Sequence, residues 1–424
     1  MKSLIIYNIK TLYTNNHQPP VKGELMKDLV TFNDCYIFIE EGIIKKIGTG
    51  DYHNLINDNT KLYNAEQAIA IPGLIDSHTH LVFGGSREHE FSKKISGVDY
   101  LDILKQGGGI LSTVKQTKQA SFEELYLQAK KTLDEMLLFG VTTIEAKSGY
   151  GLELQTEIKT LQVLKQLNED QPIDIHITYL GAHALPVEYK NRRNEFIDKV
   201  IEDLLIIKKE GLAEYVDVFC ETGVFDAKET KKILKAAKLL GFKLRVHTDE
   251  IDSIGGTQVA LNLEAKTVDH LMAITDKDIK EMAKTDTIAN LLPSTSFFLN
   301  KSYAPARKLI DSGVAVSVSS DYNPGSTPSE NYQLTLQISG NKLRMLPSEV
   351  LTAATINPAF SLDIDKNKGS LEEGKDADIV LLNCKNLDYF IYHYGINHTK
   401  SVFKKGKLVV KDRNLVKEKP YEIS

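Results

Sequence analysis

Apolar and polar positions along the 424-residue chain change their spacing twice. Up to about residue 70, short β-type runs at 4–7, 36–40 and 42–47 are broken by Asn, Asp, Pro and Gly, which predicts small antiparallel β-structure. From about residue 72, short apolar runs alternate with longer amphipathic stretches, the pattern of βα units around a parallel sheet. Eight strands are predicted, over 74–83, 141–147, 173–180, 215–221, 243–247, 267–271, 287–292 and 314–320. The clearer helices are expected over 121–139, 157–168, 194–210 and 227–240; in the last, Ile233, Ala236, Ala237 and Leu240 share one face. Shorter helices over 255–263, 276–283, 304–311 and 329–339 complete eight βα pairs. The expected fold class is α/β, a (β/α)8 TIM-type barrel, although a doubly wound open sheet has the same alternation. After about residue 364 the turn-and-strand texture returns, at 369–374, 377–382 and 401–410. We therefore expect a barrel domain over 71–363 and a smaller composite β-sandwich domain formed by both termini, 1–70 and 364–424, since chain ends commonly lie close together.

Composition narrows the class. Hydrophobic residues make up 42% and charged residues 26%, as in a soluble globular protein. Lys and Arg total 52 against 57 Asp and Glu, a net charge of −5 with the signs interspersed, so no nucleic-acid footprint is present. Cys35, Cys220 and Cys384 lie too far apart for a Cys-x-x-Cys pair and fit a reducing compartment. The opening apolar run at 4–7 is too short for a signal peptide, and no stretch approaches the roughly 18 apolar residues of a spanning helix. A cytoplasmic protein without membrane partners is expected. The lysines at 404, 405 and 407 read as a solvated turn.

In a barrel, the carboxyl ends of the strands face the mouth where chemistry occurs. Five of the 11 histidines fall there, His78, His80, His183, His247 and His270, and Asp321 follows the eighth strand. His78 and His80 stand two residues apart in a strand and so face the same way. Imidazole and carboxylate suit zinc or iron(II), which makes His78, His80, His247 and Asp321 a candidate three-His, one-Asp set with a position left open for water. Glu250, three residues beyond His247, is open to two readings: a group at the mouth that binds a ring nitrogen or moves a proton, or an ordinary loop acid. His270 likewise reads as a group steering water or stabilising an oxyanion, or as a buried ring satisfied by a carbonyl. Cys220 and Glu221 would suit a bridge to a second metal, or the core; one metal per chain is expected. Gly107-Gly108-Gly109 lacks the Lys-Ser/Thr that a phosphate loop needs and reads as flexible structure at the pocket.

The run from Pro72 to His80, together with GSLEEGKDAD at 369–378, resembles the amidohydrolase superfamily at both ends of the chain. Further motifs at 78–91, 107–114, 145–152, 181–184 and 320–326 are similar to the members that hydrolyse the cyclic amide of 4-imidazolone-5-propanoate to N-formimidoyl-L-glutamate in histidine degradation. The similarity spans effectively the whole chain. It implies one divalent ion, zinc or iron, on His78, His80, His247 and Asp321. It also implies that Arg87, Tyr150 and His183 bind substrate, with Glu250, Asn323, Gly325 and Ser326 at substrate or product positions. In that scheme Asp321 takes a proton from water, His270 helps stabilise the oxyanion, and Glu250 holds the ring nitrogens. Either Glu250 or Asp321 protonates the leaving nitrogen. A small-molecule substrate carrying a carboxylate gives Arg87 a purpose, because a guanidinium fork matches a carboxylate. A homodimer is expected from the resemblance alone. Two competing expectations are a deaminase of the same superfamily acting on a heterocyclic base, and a non-catalytic barrel, which predicts broken ligand positions.

Overall fold

A computed structural model of the chain describes residues 3–97 and 108–416. The strands among them are β1 (Ser3–Thr14), β2 (Val30–Glu40), β3 (Ile43–Thr49), β4 (Thr60–Asn64), β5 (Ile69–Pro72), β6 (Leu74–Thr79), β7 (Val141–Lys147), β8 (Asp174–Ala182) and β9 (Tyr215–Cys220). They continue as β10 (Lys243–Thr248), β11 (Thr267–His270), β12 (Ile288–Leu291), β13 (Val316–Val318), β14 (Ile379–Leu382), β15 (Thr399–Lys404), β16 (Lys407–Lys411) and β17 (Asn414–Leu415). They form two sheets.

Strands β6 to β13 pair in chain order, each parallel to the next. The ring closes just beyond β13, where Asp321 N–H donates to His78 O at 3.1 Å and His80 N–H donates to Tyr322 O at 2.8 Å. That seam decides for the barrel over the open sheet. It also brings the carboxyl end of the first barrel strand against the residues that follow the last. All eight expected strands are present, but β6 ends at Thr79 and β13 spans only Val316–Val318. Beyond those points the backbone leaves the ladder to build the mouth.

The four longer helices form at Phe122–Leu138, Leu154–Asp170, Arg193–Lys209 and Ala227–Leu239. Two of them start on reciprocal caps, Ser121 with Glu124 and Asp226 with Glu229, which satisfy amides that have no partner within the helix. The short helices Pro293–Leu299, Pro347–Ala354 and Ile356–Ser361 were not expected. The last two are largely buried, so no polar face marks them in the sequence, whereas the first buries Ser294, Thr295 and Ser296 and exposes Phe297, which inverts the usual pattern. Asn357 secures the last of these to its surroundings: its Nδ2 donates to Val21 O and Val316 O, both at 2.9 Å, and its Oδ1 accepts from Val21 N–H at 2.8 Å.

The second sheet combines both termini, in the order β17-β16-β15-β14-β5-β1-β2-β3, with β4 also on β1. The purely antiparallel expectation for the first 70 residues needs correction, because β4 and β5 both run parallel to β1. The hairpin β2–β3 occupies one edge of β1, and the chain then crosses over to the other edge, where a crossover returns it parallel. Ile6, Leu12, Ile37, Ile379, Leu381 and Phe403 close a separate apolar core there. Among the described residues, no helix is long and apolar enough to cross a membrane.

Candidate metal and substrate site

Parallel strands covered on both faces are normally apolar throughout. Several barrel strands here break that rule at every second position: Asp76 and His78, Glu145 and Lys147, Arg245 and His247, Thr267 and Asp269. All eight are buried. The alternation sends them to one side, into the barrel, where they form a buried polar layer. Arg245 Nη2 donates to Ser77 O at 2.7 Å, and Asn290 Nδ2 donates to Asp269 Oδ1 at 2.6 Å.

Above this layer the histidines converge. His78 Nε2 and His80 Nε2 each lie 3.5 Å from the same atom, Asp321 Oδ1. The His78 and His247 rings are 4.5 Å apart, and His270 lies 5.3 Å from His247. Ligand atoms of His78, His80 and Asp321 fall within 4.8 Å of one another, as do those of His78, His247 and His270. A tetrahedral ion with ligands at about 2.0–2.2 Å separates its ligand atoms by about 3.3–3.6 Å. The observed His–Asp spacings match that edge length. Both ring nitrogens of His78 and Nε2 of His247 are buried without a hydrogen-bond partner in the protein, so the donor set fits a divalent metal. Burial, reinforced by neighbouring cationic groups, holds His78 and His80 well below the usual histidine range, which leaves their lone pairs free to bind an ion.

Local backbone geometry aims these groups. Asp321 has φ of 57° and His270 has φ of 81°, left-handed conformations that side chains other than Gly rarely take and that cluster at functional sites. Asp321 Oδ2 accepts from Thr295 Oγ1 at 2.6 Å and from Ser326 Oγ at 3.2 Å, leaving Oδ1 toward the histidines. His270 Nε2 stands 3.8 Å from Glu250 Oε2. Burial pushes Glu250 up to about 7, with His247 opposing the shift and Glu221 adding to it. Burial takes His270 down to about 4 although Asp321 works against it.

The residues assigned to substrate by resemblance surround this cluster. His183 stacks on His80 at 5.0 Å and 16°, with Nδ1 3.0 Å from Gly149 O. Gly149 has φ of 117°, and a Cβ there would stand 2.9 Å from His183 Nδ1, so this position requires glycine. The Tyr150 ring lies 5.3 Å from His183, and burial together with the Asp321 charge keeps its hydroxyl protonated. Arg87 donates from Nε and Nη2 to Glu90 Oε2 at 3.1 and 2.9 Å, while Glu90 Oε1 accepts from Gly109 N–H at 2.8 Å. Gly325 lies against the guanidinium, since a Cβ on it would fall 2.3 Å from Arg87 Nη1. Asn323 folds into its own loop: Oδ1 accepts from the N–H groups of Gly325 and Ser326, both at 2.8 Å, and Nδ2 donates to Asp321 O and Ser326 Oγ, both at 2.7 Å. It shapes the turn that carries Gly325 and Ser326.

Cys220 and Glu221 are engaged elsewhere. Cys220 faces Gly256, whose Cβ would come 2.9 Å from Sγ, and burial pushes its thiol up to about 11. Glu221 accepts from the backbone N–H groups of Thr222, Ile251 and Asp252 at 2.7, 2.8 and 3.1 Å, and so anchors the loop that bears Glu250. Gly107 lies outside the described residues. Sequence reading missed Glu90, Thr295, Lys147, Asp217 and Asp269. The last three carried a signal, polar residues at alternate positions of otherwise apolar strands.

Residues 69–409 match the amidohydrolase family. The chain is 50% identical over 400 residues to the imidazolonepropionase of Streptococcus gordonii, covering 94% of this chain and 95% of that one. It is 49% identical, over 400 residues and the same shares, to the imidazolonepropionase of Streptococcus sanguinis. Among solved structures, an adenosine deaminase from Xanthomonas campestris with bound zinc superposes with a TM-score of 0.72 at 16% identity, over 99% of this chain and 95% of the other. A triazine hydrolase variant gives 0.74 at 17% identity, over 98% and 96%. At such identities these two structures speak to the fold alone.

Proposed function

The chain belongs to the amidohydrolase family, and from that premise we propose that it hydrolyses the cyclic amide of 4-imidazolone-5-propanoate to N-formimidoyl-L-glutamate. The observation that carries this reading is the 50% identity to an imidazolonepropionase over 94% of the chain. Residues 71–363 are read as the catalytic domain, and 1–70 with 364–424 as the composite β-domain beside it. His78, His80, His247 and Asp321 would hold one divalent ion, zinc or iron. Such an ion, when bound, polarises a carbonyl and lowers the pKa of water from about 15.7 toward about 7.

The remaining chemistry belongs to the chain's own groups. Thr295 and Ser326 fix Asp321 Oδ2, so that Asp321 takes the proton from the attacking water in a defined orientation. His270, neutral across the physiological range, offers a ring N–H to the oxyanion that forms on the ring carbonyl. The ring C–N bond then breaks, and its nitrogen receives a proton from Glu250 or Asp321. Glu250, with its carboxyl near 7, is populated in both forms at neutral pH and suits that transfer as well as hydrogen bonding to the ring nitrogens. Glu90 grips Arg87 through Nε and Nη2, which fixes the plane of the guanidinium beside the 323–326 turn for a propionate. Tyr150 and His183 add further donors.

The test is an assay with purified protein. Metal content is measured by elemental analysis, and 4-imidazolone-5-propanoate is followed by loss of its ultraviolet absorbance, with Arg87→Ala alongside. Turnover with about one metal per chain, and a large rise in KM for Arg87→Ala, is the expected result. Ammonia release from heterocyclic bases without turnover of the imidazolone would overturn the reading in favour of a deaminase.

A further inference from the structure

We propose that Asp217, held in place by Lys147, is a positioning residue that presents Nε2 of His247 to the metal. The inference rests on the metal-dependent reading above and extends it to groups that touch neither metal nor substrate.

Asp217 and His247 lie on adjacent parallel strands, with His247 opposite Phe219, so Asp217 sits one pleat below it and points the same way, into the barrel. Its carboxylate grips His247 at two places. Oδ1 accepts from the backbone N–H of His247 at 3.2 Å and from that of Val218 at 2.7 Å. Oδ2 stands 2.9 Å from His247 Nδ1 and 3.0 Å from Lys147 Nζ. Lys147 is held in turn by Glu145 Oε1 at 2.8 Å. Asp217, Lys147 and Glu145 have no exposed side-chain surface, and His247 has 3%.

Every neighbour of the Asp217 carboxylate in this set is a donor: two backbone N–H groups, an ammonium and, when protonated, the imidazole Nδ1. A carboxylate facing only donors selects the ring form in which Nδ1 carries the proton, and the lone pair is left on Nε2. Neither ring nitrogen has a protein hydrogen bond of good geometry, but Nδ1 has the Asp217 carboxylate 2.9 Å away, which leaves Nε2 as the free ligand atom. Lys147 supplies the counter-charge that stabilises a buried carboxylate, and Glu145 holds that ammonium from its other side. A structural ion pair would need Lys147 and either acid only. The two-point grip on His247 is what assigns a role toward the metal, because partners of this kind set ring orientation and ligand strength.

Asparagine has the same shape but must turn its NH2 group toward one of these donors, so Asp217→Asn cannot keep the grip. The measurement is the zinc dissociation constant, obtained by competition with a chromophoric chelator, for the native chain, for Asp217→Asn and for Glu214→Gln. Glu214 pairs with His176 at 3.2 Å outside the barrel mouth and serves as the control. Asp217→Asn is expected to bind zinc more weakly by a factor on the order of 10–100, with Glu214→Gln unchanged. Native affinity in Asp217→Asn would overturn the inference while leaving the metal reading intact; a native chain that takes up no zinc would overturn the metal reading itself. A second readout does not depend on any variant at position 217. In the ¹⁵N-histidine spectrum of the metal-free native protein, recorded at a pH high enough for the His247 ring to be neutral, the signals lost in His247→Gln should show a protonated Nδ1 and a bare Nε2. The opposite tautomer would sink the proposal.

Discussion

Lys404 on β15 places its Nζ 2.8 Å from Asp174 Oδ2 on β8, and so joins the terminal sheet to the barrel. Lys368 reaches the same oxygen at 2.9 Å, and both ammonium groups also contact Asp378 Oδ2, at 2.7 and 2.6 Å. Burial alone would raise the Asp174 carboxyl, but Lys404 and Lys368 hold it at about 2 against an ordinary value of 3.8.

This arrangement makes the junction acid-sensitive. A carboxyl whose pKa is depressed in the folded state stabilises above its unfolded value and loses that contribution as pH falls through the folded one. The window here runs from about pH 4 down to about 2, and the contribution above it is about 2 kcal/mol. Asp174→Asn should therefore melt lower than the native chain at pH 6, with the gap narrowing below pH 4. A gap that stays constant across this range would contradict the assignment.

Gly325 and Arg87 give a specificity prediction. The clash created by a Cβ falls on the end of a flexible side chain, so Gly325→Ala should fold normally and displace the guanidinium. KM should rise about tenfold or more, equivalent to about 1.4 kcal/mol of lost binding, with a smaller change in kcat. Unchanged KM would mean that Arg87 does not bind the propionate from its observed position.

Glu250 carries two pH signatures. With its carboxyl raised from 4.5 to about 7, the native protein should lose stability as pH climbs from about 4.5 to about 7, since over that window the folded state holds a proton the unfolded chain has released. Glu250→Gln should melt higher than native at pH 8, and the difference should vanish below about pH 4.5. If Glu250 is the proton donor to the leaving nitrogen, kcat should fall above about pH 7 in the native enzyme, and the substitution should cost roughly 10²–10⁴-fold in kcat. Persistence of that basic limb in Glu250→Gln would assign the proton to Asp321.

Metal removal should separate fold from function. The ring of strands closes through backbone hydrogen bonds at His78, His80, Asp321 and Tyr322, so chelator-treated protein should keep its far-ultraviolet circular dichroism. Activity should be lost, and added zinc at 100 times its dissociation constant should restore about 2.7 kcal/mol of stability. A melting temperature indifferent to zinc would argue against the ligand set.

Much of this protein was legible in one dimension. The barrel strands stood out as short, mostly apolar runs alternating with longer amphipathic stretches, and the helices because one side meets water. His78 and His80 were readable as a pair because a strand's period of two fixes their common direction. The buried helices at Pro347–Ala354 and Ile356–Ser361 were not, since a helix covered all round has no polar stripe to reveal it. Nor was the parallel placement of β4 and β5, which depends on which edge of β1 the hairpin had already taken.

At the site, the chain alone determined which residue types stand at the strand ends, because local periodicity sets where a side chain points. It did not determine what each one meets. Asp217 gripping His247, Glu90 meeting Gly109 and Thr295 fixing Asp321 follow from how the elements close around one another. Two of these pairs are separated by 30 and 26 residues, Asp217 with His247 and Thr295 with Asp321. Such contacts form only once the barrel closes, because burial then forces each polar group to find a partner among its neighbours in space.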